Sequence, residues 1–220
     1  MALASAISAA SGIVSQVSVR QPGPFAEVKR RAATDHVLAA VRLLALTKGL
    51  DVTMDELAAC SGASRRTLFR HFTTRDKLLA AAFETGIVDY RRQLPAYDGD
   101  RDSWLRATCD TAHRMNATVG AGLFELASRR DLSPELATVE AKRLREFRAA
   151  MTNVSQTLWR ATGHDDRPPQ LLHAAVCAHL SPHFTAALAI DAGQTWSAAA
   201  DLAYRAITAA LHRCASPSTT

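Results

Sequence analysis

From Ser64 to Lys77 this chain carries Arg65, Arg66, Arg70, Arg75 and Lys77 against the single acid Asp76. That places +4 of a formal net charge of +5 in fourteen residues. Guanidinium groups gathered this way suit two chemistries. One is bidentate hydrogen bonding to guanine O6 and N7, and the other is ion pairing with phosphate. Neither needs a nucleophile or a general base. Both need rigid elements that present the cations on one face.

The flanking residues supply those elements. Thr53 followed by Glu56 is a capping box, and Met54, Leu57 and Ala58 continue it with helical apolar spacing. Ser61 and Gly62 end that helix, and Gly62 can take the left-handed conformation that a sharp turn needs. Ala58 is small enough for the next helix to cross closely. Ser64 caps that second helix, and Leu68 and Phe72 give it one buried edge. Arg65, Arg66, Thr67, Arg70 and His71 are left facing outward. Thr74 caps a third helix whose first residue is Arg75. A helix, a glycine turn and a short basic helix are the parts of a helix-turn-helix, whose second helix enters the major groove.

This stretch resembles the N-terminal DNA-binding domain of the TetR family of transcriptional regulators. The resemblance rests on Thr53, Glu56, Ala58, Gly62, Ser64, Thr67, Leu68, Phe72 and Thr74. Three positions depart from the family pattern. Phe69 replaces a tyrosine, Arg75 replaces a lysine, and Arg66 stands where a small residue is usual. The resemblance implies DNA contacts from Thr53, Ser64, Arg65, Arg66, Thr67, Phe69, Arg70, His71 and Arg75. Arg66 is the expected base reader, with Arg65 turned to the backbone. Arg75 is expected to sit on phosphate, and Phe69 to pack on the sugar-phosphate backbone.

The rest of the chain is rich in helix formers and shows no sustained period-2 alternation, so the expected fold class is all-α, with about nine helices. The first is expected from 25 or 34 to 48. It braces the helix-turn-helix, and Lys29, Arg30 and Arg31 either touch phosphate or form a solvated face. The fourth runs from 74 to 94 and is stopped by Pro95. Later helices are expected at 102–117, 122–130, 134–161, 169–192 and 195–214, with Pro182 kinking the fourth of these five. Ser133 and Pro134 suit the cap and first position of the helix they open. The domain reading is a disordered arm at 1–24, a three-helix DNA-binding domain at 25–80, a helical effector and dimerisation domain at 81–214, and a disordered tail at 215–220.

In the TetR family the middle helices of the second domain enclose a ligand cavity. Trp104, His113, Met115, Phe124, Phe147, Met151 and Trp159 lie on them here. The candidate effector residues are Trp104, His113, Phe124, Phe147, Met151, Trp159 and His179, although each alone also suits ordinary core. The two apolar helices at 169–192 and 195–214 are the expected homodimer surface. The resemblance thus implies a cytoplasmic homodimeric repressor. It binds a pseudo-palindromic double-stranded operator and is released by a small molecule.

Two alternatives stand beside this. One is a DNA-binding regulator with a filled second core and no effector. The other is a metal sensor built on His173, Cys177, His179 and His183, which form two i, i+4 pairs within the predicted helix 169–192. No acidic or cysteine cluster completes such a site, so neither a metal nor a cofactor is expected. Cys60, Cys109, Cys177 and Cys214 are widely spaced without a CxxC and fit reduced thiols. No GxSxG, HExxH or phosphate-loop pattern is present, so no enzyme is expected. No apolar run approaches the ~20 residues of a membrane span, and the first residues lack the basic start of a signal peptide.

Overall fold

A computed structural model describes residues 24–216. Among these residues there are ten helices and no strand. The predicted arm, apart from Pro24, and the tail, apart from Ala215 and Ser216, lie outside the described residues. Residues up to Thr34 and those from Asp35 onward form two units. Within the first, Arg30 pairs with Glu27 at 2.7 Å and the Lys29 ammonium lies 4.9 Å from the centre of the Phe25 ring.

α1 (Pro24–Lys48) starts on a proline, whose missing N–H would have no intrahelical partner anyway. It ends at Gly49, at a φ of 96°, whose N–H bonds the Ala45 carbonyl at 2.9 Å. α2 (Met54–Ser61) begins with a complete capping box. The Thr53 hydroxyl accepts from the Glu56 N–H at 3.2 Å, and the Glu56 carboxylate accepts from the Thr53 N–H at 2.8 Å. Gly62, at a φ of 67°, turns the chain into α3 (Arg65–Phe72), where the Ser64 hydroxyl accepts from the Thr67 N–H. α3 closes abruptly. Thr73 sits at a φ of 66°, the only non-glycine at positive φ among the described residues. A β-branched residue there costs on the order of 1–3 kcal/mol. The turn is held by Thr73 N–H to the Phe69 carbonyl at 2.9 Å and Thr74 N–H to that of Phe72 at 2.7 Å. Thr74 then caps α4 (Arg75–Gln93) through the Lys77 N–H.

The remaining helices are α5 (Arg101–Asn116), α6 (Ala121–Ser128), α7 (Pro134–Arg160), α8 (Gln170–His179), α9 (Pro182–Ile190) and α10 (Trp196–Ala215). Ser133 holds the N-cap position of α7 without a side-chain cap bond. The predicted kinked helix at 169–192 is two helices. Pro182 has no N–H for the Ala178 carbonyl, and the Ser181 hydroxyl accepts from the Phe184 N–H at 3.2 Å. The chain therefore restarts at Pro182 rather than bending through it. His179 and His183 stand on different helices, and their expected i, i+4 register is lost.

Two apolar cores organise residues from Asp35 onward. The first gathers Leu38, Val41 and Ala45 of α1, Leu57 of α2, Leu68 of α3 and Leu78, Leu79 and Phe83 of α4. It is completed by Leu126 of α6 and by Leu136 and Val139 of α7. The second joins α5, α7, α8 and α10 around Leu105, Met151, Leu158, Leu172, Val176 and Ile207.

α6 is seated directly on the end of α1. A side chain at Gly120 would overlap the Leu46 carbonyl oxygen, and one at Gly122 the Ala45 carbonyl oxygen. From the next turn the Glu125 carboxylate accepts from the Leu50 N–H at 2.7 Å. Arg129 follows, reaching Asp51 at 2.7 Å and Asp131 at 3.2 Å. Small residues thus permit the close approach, and a carboxylate satisfies a backbone donor left over at the α1–α2 turn.

Candidate nucleic-acid interface

α3 turns Leu68 fully inward, at 1% exposure. Phe72 and Thr67 are half-buried, while Arg65, Arg66, Phe69, Arg70 and His71 are exposed. Three consecutive caps on Thr53, Ser64 and Thr74 fix the start of each helix around this face.

The arginines differ in what holds them. Arg65 reaches both carboxylate oxygens of Asp55 on α2 at 3.2 Å, and its guanidinium lies 5.5 Å from the centre of the Phe69 ring. An exposed pair of this kind is worth only about 0.2–1 kcal/mol, so it yields readily to a phosphate. Arg75 is half-buried. It pairs with Asp76 at 2.9 Å and donates to the Val52 carbonyl at 3.4 Å, which ties the start of α4 to the start of α2. Among the described residues Arg66 and Arg70 have no hydrogen bond or ion pair from their side chains. The Ser64 and Thr67 hydroxyls lie 2.8 Å apart, and the Thr53 hydroxyl contacts the Glu56 carboxylate at 3.0 Å. His71 packs near the Phe72 ring.

Glu56 anchors this frame electrostatically. Its carboxyl is lowered from the ordinary 4.5 to about 2, first by the Thr53 backbone N–H and then by Lys48, 3.0 Å away. A folded pKa below the unfolded one stabilises above the ordinary carboxylate range and loses that contribution as pH falls toward 2. Replacing Glu56 with glutamine is expected to flatten the acid limb of the stability profile between pH 4.5 and 2. Denaturant midpoints measured across that window check it. Equal acid limbs in the two proteins would show that the capping box does not titrate as argued.

A cavity of about 230 Å³ lies away from this face. Arg42 and Leu46 of α1, Phe83 and Ile87 of α4, Met115 and Asn116 of α5, Leu126 of α6 and Val139, Arg143 and Phe147 of α7 line it. Of the expected effector residues, Phe147 is in this wall. Trp104 lines a separate cavity of about 340 Å³ with Leu94, Thr108 and Val154. Met151 and Trp159 are buried in the second core, with the Trp159 indole N–H bonded to Asp166 at 2.7 Å. His113 is fully buried beside Thr185 at 2.8 Å, and burial pushes its pKa down to about 4. Phe124 packs edge-on against His183, and His179 against Phe184. Trp104, Met151 and Trp159 share the second core with Phe147 packed against it, and His113 and His179 both meet the Phe184 ring, but the seven do not line one cavity.

Leu46, Phe83 and Ile87 were missed because an apolar wall and an apolar core share the same residue types and spacing. Asn116 had a usable signal. It lies three residues after His113, so two polar residues share the inward face of α5. Met115, on the same helix as the expected set, does line the cavity.

His173 Nε2 lies 3.6 Å from Cys177 Sγ, and His173 Nδ1 lies 3.2 Å from the Ser155 hydroxyl. Among the described residues no group of three His, Cys, Asp or Glu side chains could hold a metal ion. No helix among them is long and apolar enough to cross a membrane.

A capped scaffold helix, a glycine turn and an exposed basic second helix define a helix-turn-helix DNA-binding protein. Residues 37–82 match the family model of bacterial regulatory proteins, tetR family. The fold extends the likeness to solved structures. A TetR-family transcriptional regulator from Streptomyces coelicolor superposes with a TM-score of 0.62 at 16% identity, over 84% of this chain and 97% of that one. A Pseudomonas aeruginosa PAO1 protein assigned as a transcriptional regulator gives 0.64 at 15% identity, over 87% and 98%. Among curated proteins no sequence match was found. Residues 37–82 thus carry a DNA-binding domain of the tetR type, and the fold of the chain resembles that of these solved regulators.

Proposed function

We propose that this regulator is a cytoplasmic homodimeric repressor, released from a pseudo-palindromic operator when a small molecule enters the 230 Å³ cavity. Residues 25–80 form its DNA-binding part, and residues 81–214 its effector and dimerisation part. The observation that carries the reading is a shared wall. Phe83, Leu126 and Val139 line the cavity and also belong to the core under the helix-turn-helix. A ligand that moves them repacks the seat of α3, so occupancy and DNA binding bias one another. In the DNA-binding part, Ser64, Arg65, Arg66, Thr67, Phe69, Arg70 and His71 meet the duplex. Thr53 and Arg75 approach its backbone from the first turns of α2 and α4.

The dimer reading rests on the second half. α8 and α10 leave Leu171 at 51% and Leu202 at 46% exposure, flanked by exposed Ala174, Ala178 and Ala209. Exposed leucines among small residues suit an isologous helical interface. With two recognition helices the bound DNA carries two related half-sites. Selection of bound fragments from genomic DNA, paired with sedimentation at micromolar protein, tests this. A two-fold symmetric motif and a dimer are expected. A monomer at all concentrations, or a motif without symmetry, would overturn it.

A further inference from the structure

We infer that Asp55 is a positioning residue for DNA selectivity: it holds the Arg65 guanidinium in one orientation, so that Arg65 meets phosphate in a single docking register. The inference rests on the DNA contact proposed above for Arg65 and adds a residue outside that contact set.

The geometry of the pair comes first. Nη1 of Arg65 lies 3.2 Å from both carboxylate oxygens of Asp55, and the guanidinium lies 5.5 Å from the centre of the Phe69 ring. Asp55 projects from the first turn of α2, and Phe69 sits one turn along α3 from Arg65. An anion on one helix and a ring on the other thus hold the same group. Nε and Nη2, the two nitrogens of one edge of the fork, hydrogen-bond to nothing among the described residues. That edge can receive a phosphate bidentately, and the rigid plane of the fork fixes the direction in which it points.

The neighbouring acids come second. Glu56 pairs with Lys48, Asp76 with Arg75 and Asp51 with Arg129. None of them holds a side chain of the recognition helix. Among the described residues Asp55 is the one acid in an ion pair with α3.

Selectivity follows from what the pair permits. A phosphate contact carries no sequence information by itself. A free arginine follows phosphates wherever the reading head docks, and so raises affinity for all DNA alike. Arg65 is not free. A phosphate opposite its Nε–Nη2 edge is met with the Asp55 pair intact. A phosphate anywhere else must break that pair and leave a bare carboxylate beside the DNA backbone. The cost is small, as for any exposed pair, but it falls on dockings out of register. Base contacts from Arg66 are what fix the register, so the cost falls on DNA that lacks them.

Asp55→Asn tests this in the full chain. It removes the charge and keeps the shape of a side chain that is 72% exposed, so it disturbs no packing. Fluorescence anisotropy over a series of salt concentrations reads binding to two probes. One is the fragment recovered by the selection above, and the other is a shuffled fragment of equal length and composition. The variant is expected to lower the ratio of the two affinities about threefold to fivefold, within the range open to an exposed ion pair. The change comes mainly from tighter binding to the shuffled fragment, where the salt slope steepens by about one as a further cation follows phosphate. In an Arg65→Ala background the same substitution is expected to leave the ratio unchanged. An unchanged ratio or salt slope in Asp55→Asn, or an equal fall of the ratio without Arg65, would overturn the inference. If Arg65→Ala alone binds both fragments as tightly as the unaltered protein, the DNA contact of Arg65 itself fails, and the inference with it.

Discussion

Arg66→Ala is expected to weaken operator binding by about 1–3 kcal/mol for each half-site and to relax base preference at one position in each. Arg66 is exposed on α3 and, among the described residues, its side chain has no hydrogen bond or ion pair. Arg65, next along the helix, is rotated by about 100° and is turned toward Asp55 and the Phe69 ring. The two neighbours therefore have different freedom. Arg66 offers an uncommitted fork to a guanine edge, whereas Arg65 starts from a position suited to the backbone. If the operator engages two copies, the losses add, since the half-sites are well separated. The measurement is a binding selection repeated with the variant at fixed salt. An unchanged motif with uniformly lower affinity, and a salt slope reduced by about one, would make Arg66 a phosphate contact instead.

The second large effect is structural. Gly122→Ala is expected to lower the stability of the chain by about 1–3 kcal/mol, the usual cost of overpacking a tight contact. Two terms of opposite sign compete. Alanine in place of glycine favours a helix by up to about 1 kcal/mol. Against this, the added carbon would meet the Ala45 carbonyl oxygen, which is backbone inside α1 and cannot rotate away. α6 would have to lift, loosening Leu126 from the first core and Glu125 from the Leu50 N–H. For a chain of this length each kcal/mol lowers the melting temperature by about 2–4 °C. A thermal scan decides between the terms. A melting temperature equal to or above that of the unaltered protein would mean that helix propensity wins and that the α1–α6 contact is soft.

The helix-turn-helix was legible because its signals are local. Thr53 with Glu56, Ser64 and Thr74 are caps whose hydrogen bonds reach three residues at most, and Gly62 takes the positive φ that its place demands. The outward set on α3 follows from the inward pair Leu68 and Phe72. The break between α8 and α9 was carried by the same Ser-Pro pair that opens α7. At 133–134 charged neighbours expose that signal, whereas at 181–182 it sits in a stretch of helix-forming residues with no charged side chain but its histidines. The cavity was not legible. Phe83 lines it and Leu79, one turn earlier, fills solid core, yet the two are equivalent in type and helical register. Whether an apolar side chain meets a neighbour or a void depends on the distance between helices. Gly120 and Gly122 help set that distance for α6, and near Phe83 the comparable residue is Gly86, where a side chain would press only on the flexible Arg42 side chain.

The completion of the first core by Leu126, Leu136 and Val139 bears on how such a protein can be recombined. Exchange of reading heads between relatives looks like a matter of cutting after α4 and joining two segments. Here the cut would strand three of the head's core side chains in the other parent. The incoming α1–α4 would meet α6 and α7 residues shaped for a different packing, without Glu125 to receive the Leu50 N–H. A functional hybrid must therefore carry α6 and the first two turns of α7 along with the head. The exchangeable part is contiguous in space and discontinuous along the chain, and single crossovers between α4 and α5 will be selected against.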